Sequence, residues 1–371
     1  MSDDLDRLRQ KLDRLDGELL AAVAERQRIV AEIGRLKRAQ ELYLRDFGRE
    51  RQVLEQAFQR GAELDLDSTF VGAMFGLLIE HSLQFQERHG LAAGAGGDGL
   101  TALVLGGRGR MGRWFADFLA IQGYRIAIAD PAEAPSPYPA VDDWRSAAKN
   151  ANLVVVAAPL QVSAGLLTEL LAIEPQGLVF DLGSLKSPLR PALEALCAAG
   201  VQVTSLHPLF GPAVRMLSGR HVAIVDVGCA TANERAAALF AGTMAEIVSL
   251  SIAEHDRLMA YVLSFSHLLN IAFTAVLASS GEQALQLRRV SSTTFEEQLK
   301  VARRISGENP EVYFEIQTLN PYAAAVRRAL SEALAALDRA LTAKSRQAFY
   351  DVFAGNVDYL TNARLPPQPG G

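Results

Sequence analysis

Cysteine is nearly absent from this chain. Cys197 and Cys229 are the only two among 371 residues, and no Cys/His group has zinc-site spacing. A disulfide framework is excluded, no metal is expected, and two reduced core thiols suit the cytoplasm. No uninterrupted apolar run reaches the about 18 residues of a membrane span, and the start, MSDDLDRLRQ, is too charged for a secretory signal. A surplus of one charge is also lacking: 37 Lys and Arg face 42 Asp and Glu, giving a net charge of −5. The basic residues are dispersed, so neither nucleic acid nor a membrane is an expected partner. Histidine is scarce at six residues, which makes the placement of each informative.

What is present divides into three patterns. Leu5, Leu8, Leu12, Leu15 and Leu19 recur at steps of 3 and 4, one face of a helix that could run to about Arg38. Further helices are expected over 47–62 and 68–89, the latter capped by Asp67 or Ser68. A lone helix of that first length cannot bury itself, so residues 1–91 form an all-helical domain expected to share its core with a second subunit. The small-residue stretch 92–99, AAGAGGDG, reads as a linker. Residues 100–250 alternate short apolar runs, at 102–105, 126–129, 153–158, 178–180, 201–206 and 222–225, with amphipathic segments. That alternation indicates a parallel sheet covered on both faces. Residues 251–363 are again helical and rich in Ala and Leu, and 364–371, within LPPQPGG, reads as a disordered tail.

Four constellations carry chemistry. Arg26, Val30, Ile33 and Lys37 share one helix stripe, which fits either two cations reaching water from a bundle edge or an anion site. Asp46 with Glu50, and Ser82 with Gln86, are i, i+4 pairs, common on solvated faces. Gly107-x-Gly109-x-x-Gly112 directly follows an apolar strand and opens a helix, and a second strand ends at Asp130. This is the setting of a dinucleotide turn. Gly107 would permit the turn, Gly109 the approach of a pyrophosphate, and Gly112 close packing of helix on strand. Arg108 and Met111 lie within that turn, and Pro159 ends a later strand on the nicotinamide side. Asp130 should accept from ribose hydroxyls and repel a 2′-phosphate, favouring NAD over NADP, although Arg108 or Arg110 could meet a phosphate. The fourth constellation is SLHPLFGP, where His207 follows a strand, with Ser184 following another in VFDLGSLKSP. Both should face the crevice beyond the strand ends.

Residues 5–89 resemble the all-helical chorismate mutase family without a gap. Seven of that family's positions carry the family residue type here: Arg9, Arg26, Lys37, Asp46, Glu50, Ser82 and Gln86. The resemblance implies that Arg9 and Arg26 hold the chorismate dianion while Lys37 and Gln86 donate to the breaking ether oxygen. It also implies that Arg9 serves the partner's site in an obligate homodimer.

From LVLGGRGRMG through DLGSLK, LHPLFGP and AEHD, residues 100–360 resemble the prephenate dehydrogenase family. This implies a Rossmann-like NAD domain followed by an all-α dimerisation domain. By resemblance, His207 accepts the proton of the ring hydroxyl, Ser184 hydrogen-bonds the same hydroxyl, and Arg304 takes the ring carboxylate. Arg303 stands beside Arg304 as the alternative. His255 and His267 match family histidines, though helix packing explains them as well. The whole chain therefore resembles a fusion converting chorismate to prephenate and prephenate to 4-hydroxyphenylpyruvate. Departures occur at Glu296, Leu258, Leu263 and Ser266. Glu296 leaves open the same chemistry on 4-amino-4-deoxy substrates, and a non-catalytic NAD-binding dimer is the remaining alternative.

Overall fold

The computed structural model describes residues 2–40, 42, 45–94 and 96–362, so the expected tail at 364–371 lies outside the described residues. Three helices come first: α1 (Ser2–Ala39), α2 (Phe47–Glu63) and α3 (Ser68–Gly94). Asp67 rather than Ser68 caps α3, its carboxylate accepting from Phe70 N at 2.9 Å. The stretch expected as a linker is helical as far as Gly94. The reason is Leu91, which is buried in a cluster with Phe118 and Phe240 and so carries the helix onto the sheet layer. By contrast Leu5, Leu8, Leu12, Leu15 and Leu19 remain about half exposed, at 50–58%.

A seven-stranded sheet follows. Its strands are β1 (Thr101–Leu105), β2 (Arg125–Ala129), β3 (Leu153–Val156), β4 (Leu178–Asp181), β5 (Val203–Pro208), β6 (His221–Asp226) and β7 (Glu246–Ser251), in the order β2-β1-β3-β4-β5-β6-β7. The first five are parallel, while β6 runs antiparallel to β5 and β7 parallel to β6. Helices α4 (Arg110–Ile121), α5 (Trp144–Asn150), α6 (Leu160–Ile173), α7 (Arg190–Ala198) and α8 (Ala230–Ala238) connect or cover them. β1, β3 and β4 are buried along most or all of their length because both sheet faces are covered. One face packs on Phe115, Phe118 and Phe240, the other on Leu167, Leu170 and Leu193. The seventh strand escapes a search for apolar runs because EIVSLS alternates on a half-exposed edge.

The chain ends in α9 (Ile252–Met259), a π-helical turn at Ala260–Phe265, α10 (Ser266–Ser279), α11 (Ala284–Arg289), α12 (Thr293–Ser306), α13 (Pro310–Leu319), α14 (Ala323–Thr342) and α15 (Arg346–Asn362). Ser251 and Glu254 form a reciprocal capping box that starts α9 directly from β7. Residues 252–279 make one continuous helix, long and apolar enough by length and composition alone to cross a membrane, with a mean hydropathy of 1.6 over 18 residues, though no single apolar run is that long. Only 11% of that window is buried within this chain.

A buried carboxylate ties the first helices to the sheet. Glu87, on α3 and 3% exposed, accepts from Leu217 N at 2.8 Å and Met244 N at 2.7 Å. Glu87→Ala strands both donors. It is expected to lower the unfolding free energy by roughly 2 kcal/mol or more, with Glu87→Gln milder, as measured by chemical denaturation.

Candidate active sites

The first group gathers where α1 crosses α3. Gly34 allows the approach: a Cβ there would lie 3.1 Å from Gln86 Cγ. Arg26 Nη1 donates to Leu78 O at 3.0 Å and to Ser82 Oγ, and Ser82 Oγ donates to Leu78 O at 2.6 Å. Partial burial lowers the Arg26 pKa from its usual value. Gln86 is 7% exposed and its Oε1 has no hydrogen-bond partner, a buried acceptor left for another molecule. Lys37 lies half-buried one turn beyond Gly34. Beside Arg26 opens a groove of about 560 Å³ lined by Val23, Met74, Leu77 and His81.

The other members are arranged differently from a simple ligand cage. Asp46 caps α2, its Oδ1 accepting from Arg49 N at 2.9 Å. Glu50 is gripped by Arg45 through two bonds of 2.9 and 3.1 Å, and Arg45 Nη1 donates to Ser218 Oγ at 2.6 Å. Arg45 went unnoticed in the sequence because its partner Ser218 is 173 residues away. Arg9 is exposed and paired with Asp6 at 3.3 Å. It stands about 25 Å along α1 from Arg26 at the rise of an α-helix, so within one chain it does not join the group.

The glycine-rich turn joins β1 to α4. The left-handed residue is Gly106, with φ of +84°, not Gly107 as expected. Gly107 is needed instead for packing, since a Cβ there would sit 2.5 Å from Ile128 Cγ2 on β2. A Cβ on Gly112 would meet Gly106 O at 2.1 Å, so the helix can press on the turn only with glycine there. Gly109 is the N-cap of α4 and supplies no side-chain cap, which leaves the first N–H groups of the helix, from Arg110, Met111 and Gly112, for an anion. Asp130 directly follows β2 and accepts from Arg108 N and Ala132 N, each at 2.9 Å. The Arg108 guanidinium donates to Asp130 O at 3.1 Å and to Ala132 O, while its buried Nε has no partner. This open cradle and carboxylate fit a dinucleotide. Pro159 is the N-cap of α6, at the same strand-end edge.

His207 lies within β5, not after it: it pairs with Ala223 of β6, and Leu209 N still bonds His221 O at 3.0 Å. The sheet ladder, rather than the prolines, fixes its backbone. Its ring is 5% exposed, and Nδ1 is 2.8 Å from His255 Nε2. His255 Nδ1 is in turn 2.7 Å from Asp256 Oδ1. Asp256 also accepts from Lys186 N at 3.0 Å and Ser187 N at 2.7 Å. The wholly buried Lys186 ammonium donates to Asp181 Oδ1 and Leu206 O, both at 2.7 Å. Burial, then His255 and Lys186, hold the His207 pKa well below 6.5. Burial also lowers that of His255 against the opposing pull of Asp256, and the Asp256 pKa is itself lowered, by bonds from His255, Ser187 and Lys186 that outweigh its burial. Ser184, half-buried, leaves the end of β4 beside β5, and its hydroxyl makes no hydrogen bond among the described residues.

A further cluster lies on the helical side. His267 packs edge-on against Tyr313 at 4.7 Å, and Tyr313 donates to Glu308 Oε2 at 2.9 Å. Burial lowers the His267 pKa, and its Nδ1 is buried without a partner. Tyr313 feels the charges of Arg304 and, from the glycine turn, Arg110. Of the pair Arg303 and Arg304, it is the charge of Arg304 that reaches Tyr313. Glu296 is exposed in the first turn of α12 and acts on Lys300. Tyr313, Glu308 and Arg110 were not singled out in the sequence for this cluster, since nothing local distinguishes them from packing and surface residues.

Residues 8–87 match the model for chorismate mutase type II, 133–228 that for the prephenate dehydrogenase nucleotide-binding domain, and 251–355 that for its dimerization domain. The chain is 25% identical over 317 residues to the T-protein of Enterobacter agglomerans, covering 84% of this chain and 81% of the relative. It is 32% identical over 268 residues to a 4-amino-4-deoxyprephenate dehydrogenase of Streptomyces pristinaespiralis, covering 68% of this chain and 88% of the relative. In fold it is similar to a prephenate dehydrogenase of A. aeolicus crystallised with hydroxyphenyl propionate and NAD+, with a TM-score of 0.59 at 16% identity, over 71% of this chain and 98% of that one. The chain belongs to the prephenate dehydrogenase family and carries a type II chorismate mutase domain ahead of its dehydrogenase domains.

Proposed function

We propose that the named residues divide between two consecutive reactions. The protein is a chorismate mutase and an NAD-dependent prephenate dehydrogenase of aromatic amino acid biosynthesis. In the first reaction Arg26, and Arg9 from a partner subunit, bind the two carboxylates of chorismate, for which planar guanidinium forks are suited. Lys37 and Gln86 donate to the ether oxygen as negative charge builds there. The distance of Arg9 from Arg26 within one chain supports giving Arg9 to a partner's site, and the burial of Gln86 beside Arg26 and Ser82 supports its place in the group. Asp46 and Glu50 act chiefly by ordering the start of α2. The half-exposed leucine stripe of α1 and the apolar helix 252–279 both support a homodimer. The low cysteine content, two among 371 residues, supports a cytoplasmic setting.

In the second reaction the observation that carries the reading is His207: a buried, neutral imidazole at the strand-end edge that also holds the glycine turn. The chemistry that NAD supplies when bound is acceptance of the hydride from C4 of prephenate. His207 takes the proton of the C4 hydroxyl, and Ser184 orients that hydroxyl. Arg304, with His267, holds the ring carboxylate until the C1–carboxyl bond breaks. Its electron pair enters the ring as CO₂ departs, giving 4-hydroxyphenylpyruvate. Gly107, Gly109 and Gly112, with Arg108, Met111 and Pro159, would line the dinucleotide, and Asp130 would accept from its ribose hydroxyls.

Supplying chorismate and NAD while following chorismate, NADH and the aromatic product tests the assignment. Lys37→Ala should abolish chorismate loss yet oxidise supplied prephenate, whereas His207→Asn should lower oxidation by roughly 10²–10⁴-fold with NAD still bound. Normal oxidation by His207→Asn would sink the second assignment. Asp130 predicts a strong preference for NAD, overturned by comparable kcat/KM with NADP. Because the His207 pKa is depressed, the base stays unprotonated through neutral pH. kcat/KM for prephenate should hold level there and fall only well below pH 6.5. Buried His207 and His255, with half-buried His267, should likewise make folding stability complete above about pH 6.5 and decline below it, as the unfolded histidines take up protons. A pH–rate profile and denaturation across pH check both signs.

A further inference from the structure

The buried groups behind His207 have a direction. Asp256 faces two backbone N–H groups, which can only donate, so its carboxylate is the acceptor in every contact it makes with them. Its lowered pKa keeps it ionised. The nitrogen 2.7 Å away, His255 Nδ1, must then carry a proton. His255 is wholly buried and kept neutral, so its other nitrogen, Nε2, holds a lone pair. That lone pair lies 2.8 Å from His207 Nδ1, which must therefore be the N–H of that ring. A neutral His207 with its proton on Nδ1 has its lone pair on Nε2, the nitrogen without a partner among the described residues. The charged groups that act on the two rings are Lys186, whose ammonium is bound by Asp181 Oδ1 and Leu206 O, Asp181 at the end of β4, and Asp256 on α9.

We propose that Asp256 and His255 are positioning residues that fix His207 in the Nδ1–H tautomer and so make its Nε2 the proton acceptor. The proposal rests on His207 being the base, and it adds the reason why this imidazole accepts rather than donates. A single amide in place of the carboxylate reverses the whole chain. In Asp256→Asn, the side-chain oxygen can keep Ser187 N while the NH₂ donates to His255 Nδ1. His255 must then carry its proton on Nε2 and donate to His207 Nδ1, leaving His207 protonated on Nε2 and unable to accept.

Asp256→Asn is expected to lower kcat for prephenate oxidation by roughly 10³–10⁴-fold, the size of effect when the same exchange misplaces the tautomer behind a catalytic histidine elsewhere. KM for prephenate, NAD binding and mutase activity should change little. His255→Gln, whose amide oxygen can still accept from His207, should retain much more activity than Asp256→Asn. Histidine-selective ¹⁵N NMR reads the state directly: in the wild type His207 Nδ1 should show the shift of a protonated nitrogen and Nε2 that of an unprotonated one, with the two exchanged in Asp256→Asn. Wild-type Nε2 bearing the proton, or Asp256→Asn oxidising prephenate at the normal kcat, overturns the proposal. The wild-type spectrum decides the matter even if a variant folds poorly. Failure of the base assignment is separate: it is read from His207→Asn retaining normal oxidation, whatever tautomer is found.

Discussion

The buried pair between Lys186 and Asp181 is the constraint around which the dehydrogenase half is organised. Both side chains are fully shielded from water, and removing either partner would leave an uncompensated charge, at a cost of roughly 3–5 kcal/mol. Asp181 ends β4 and also accepts from Gly183 N and Ser205 Oγ, which sets the loop carrying Ser184. Lys186 donates from its ammonium to Leu206 O, next to His207, and from its backbone to Asp256 on the first helix of the last domain. One lysine thus fixes two adjacent strand ends and the helix that packs on them. It also supplies positive charge that helps keep both histidines neutral.

The segment after β5 relates the two halves of the molecule. It leaves His207 through Phe210, whose ring rests 5.0 Å from that of Trp114 on α4, and Trp114 in turn donates to Val214 O at 2.9 Å. Farther on, Leu217 N is held by Glu87, the neighbour of Gln86, and Ser218 by Arg45, the partner of Glu50. A single loop therefore runs from the histidine of one candidate site to the residues that support the other. Its far end is anchored by charge-assisted hydrogen bonds, which hold geometry more strongly than neutral ones. The product of the first reaction is the substrate of the second, and the two sites are built on one connected framework.

Much of this was legible in the chain because the signals are local. The 3–4 spacing of leucines, the apolar runs, the glycines before α4 and the strand-end histidine each lie within a window of a few residues. What was misread follows from physics at longer range. Gly106 takes the left-handed turn, and Gly107 serves packing instead, because Ile128, from another strand, occupies the space a side chain there would need. α3 overruns the small-residue stretch because Leu91 has aromatic partners on the sheet layer. β7 was missed because an edge strand half open to water needs no continuous apolar run.

By itself the sequence determined the order of helical, alternating and helical regions, the dinucleotide turn, and the residues whose types suit two carboxylates and a proton acceptor. These follow from periodicity and side-chain chemistry, which neighbours along the chain cannot disguise. Only the tertiary structure decided which groups act together. Asp256 lies 49 residues from His207 along the chain, and Arg45 meets Ser218 across 173. Whether a histidine accepts or donates, and whether an acidic residue binds a ligand or caps a helix, depends on which polar atoms burial brings within hydrogen-bond reach. Adjacency of that kind is created by folding, and the linear spacing of residues does not encode it in any local form.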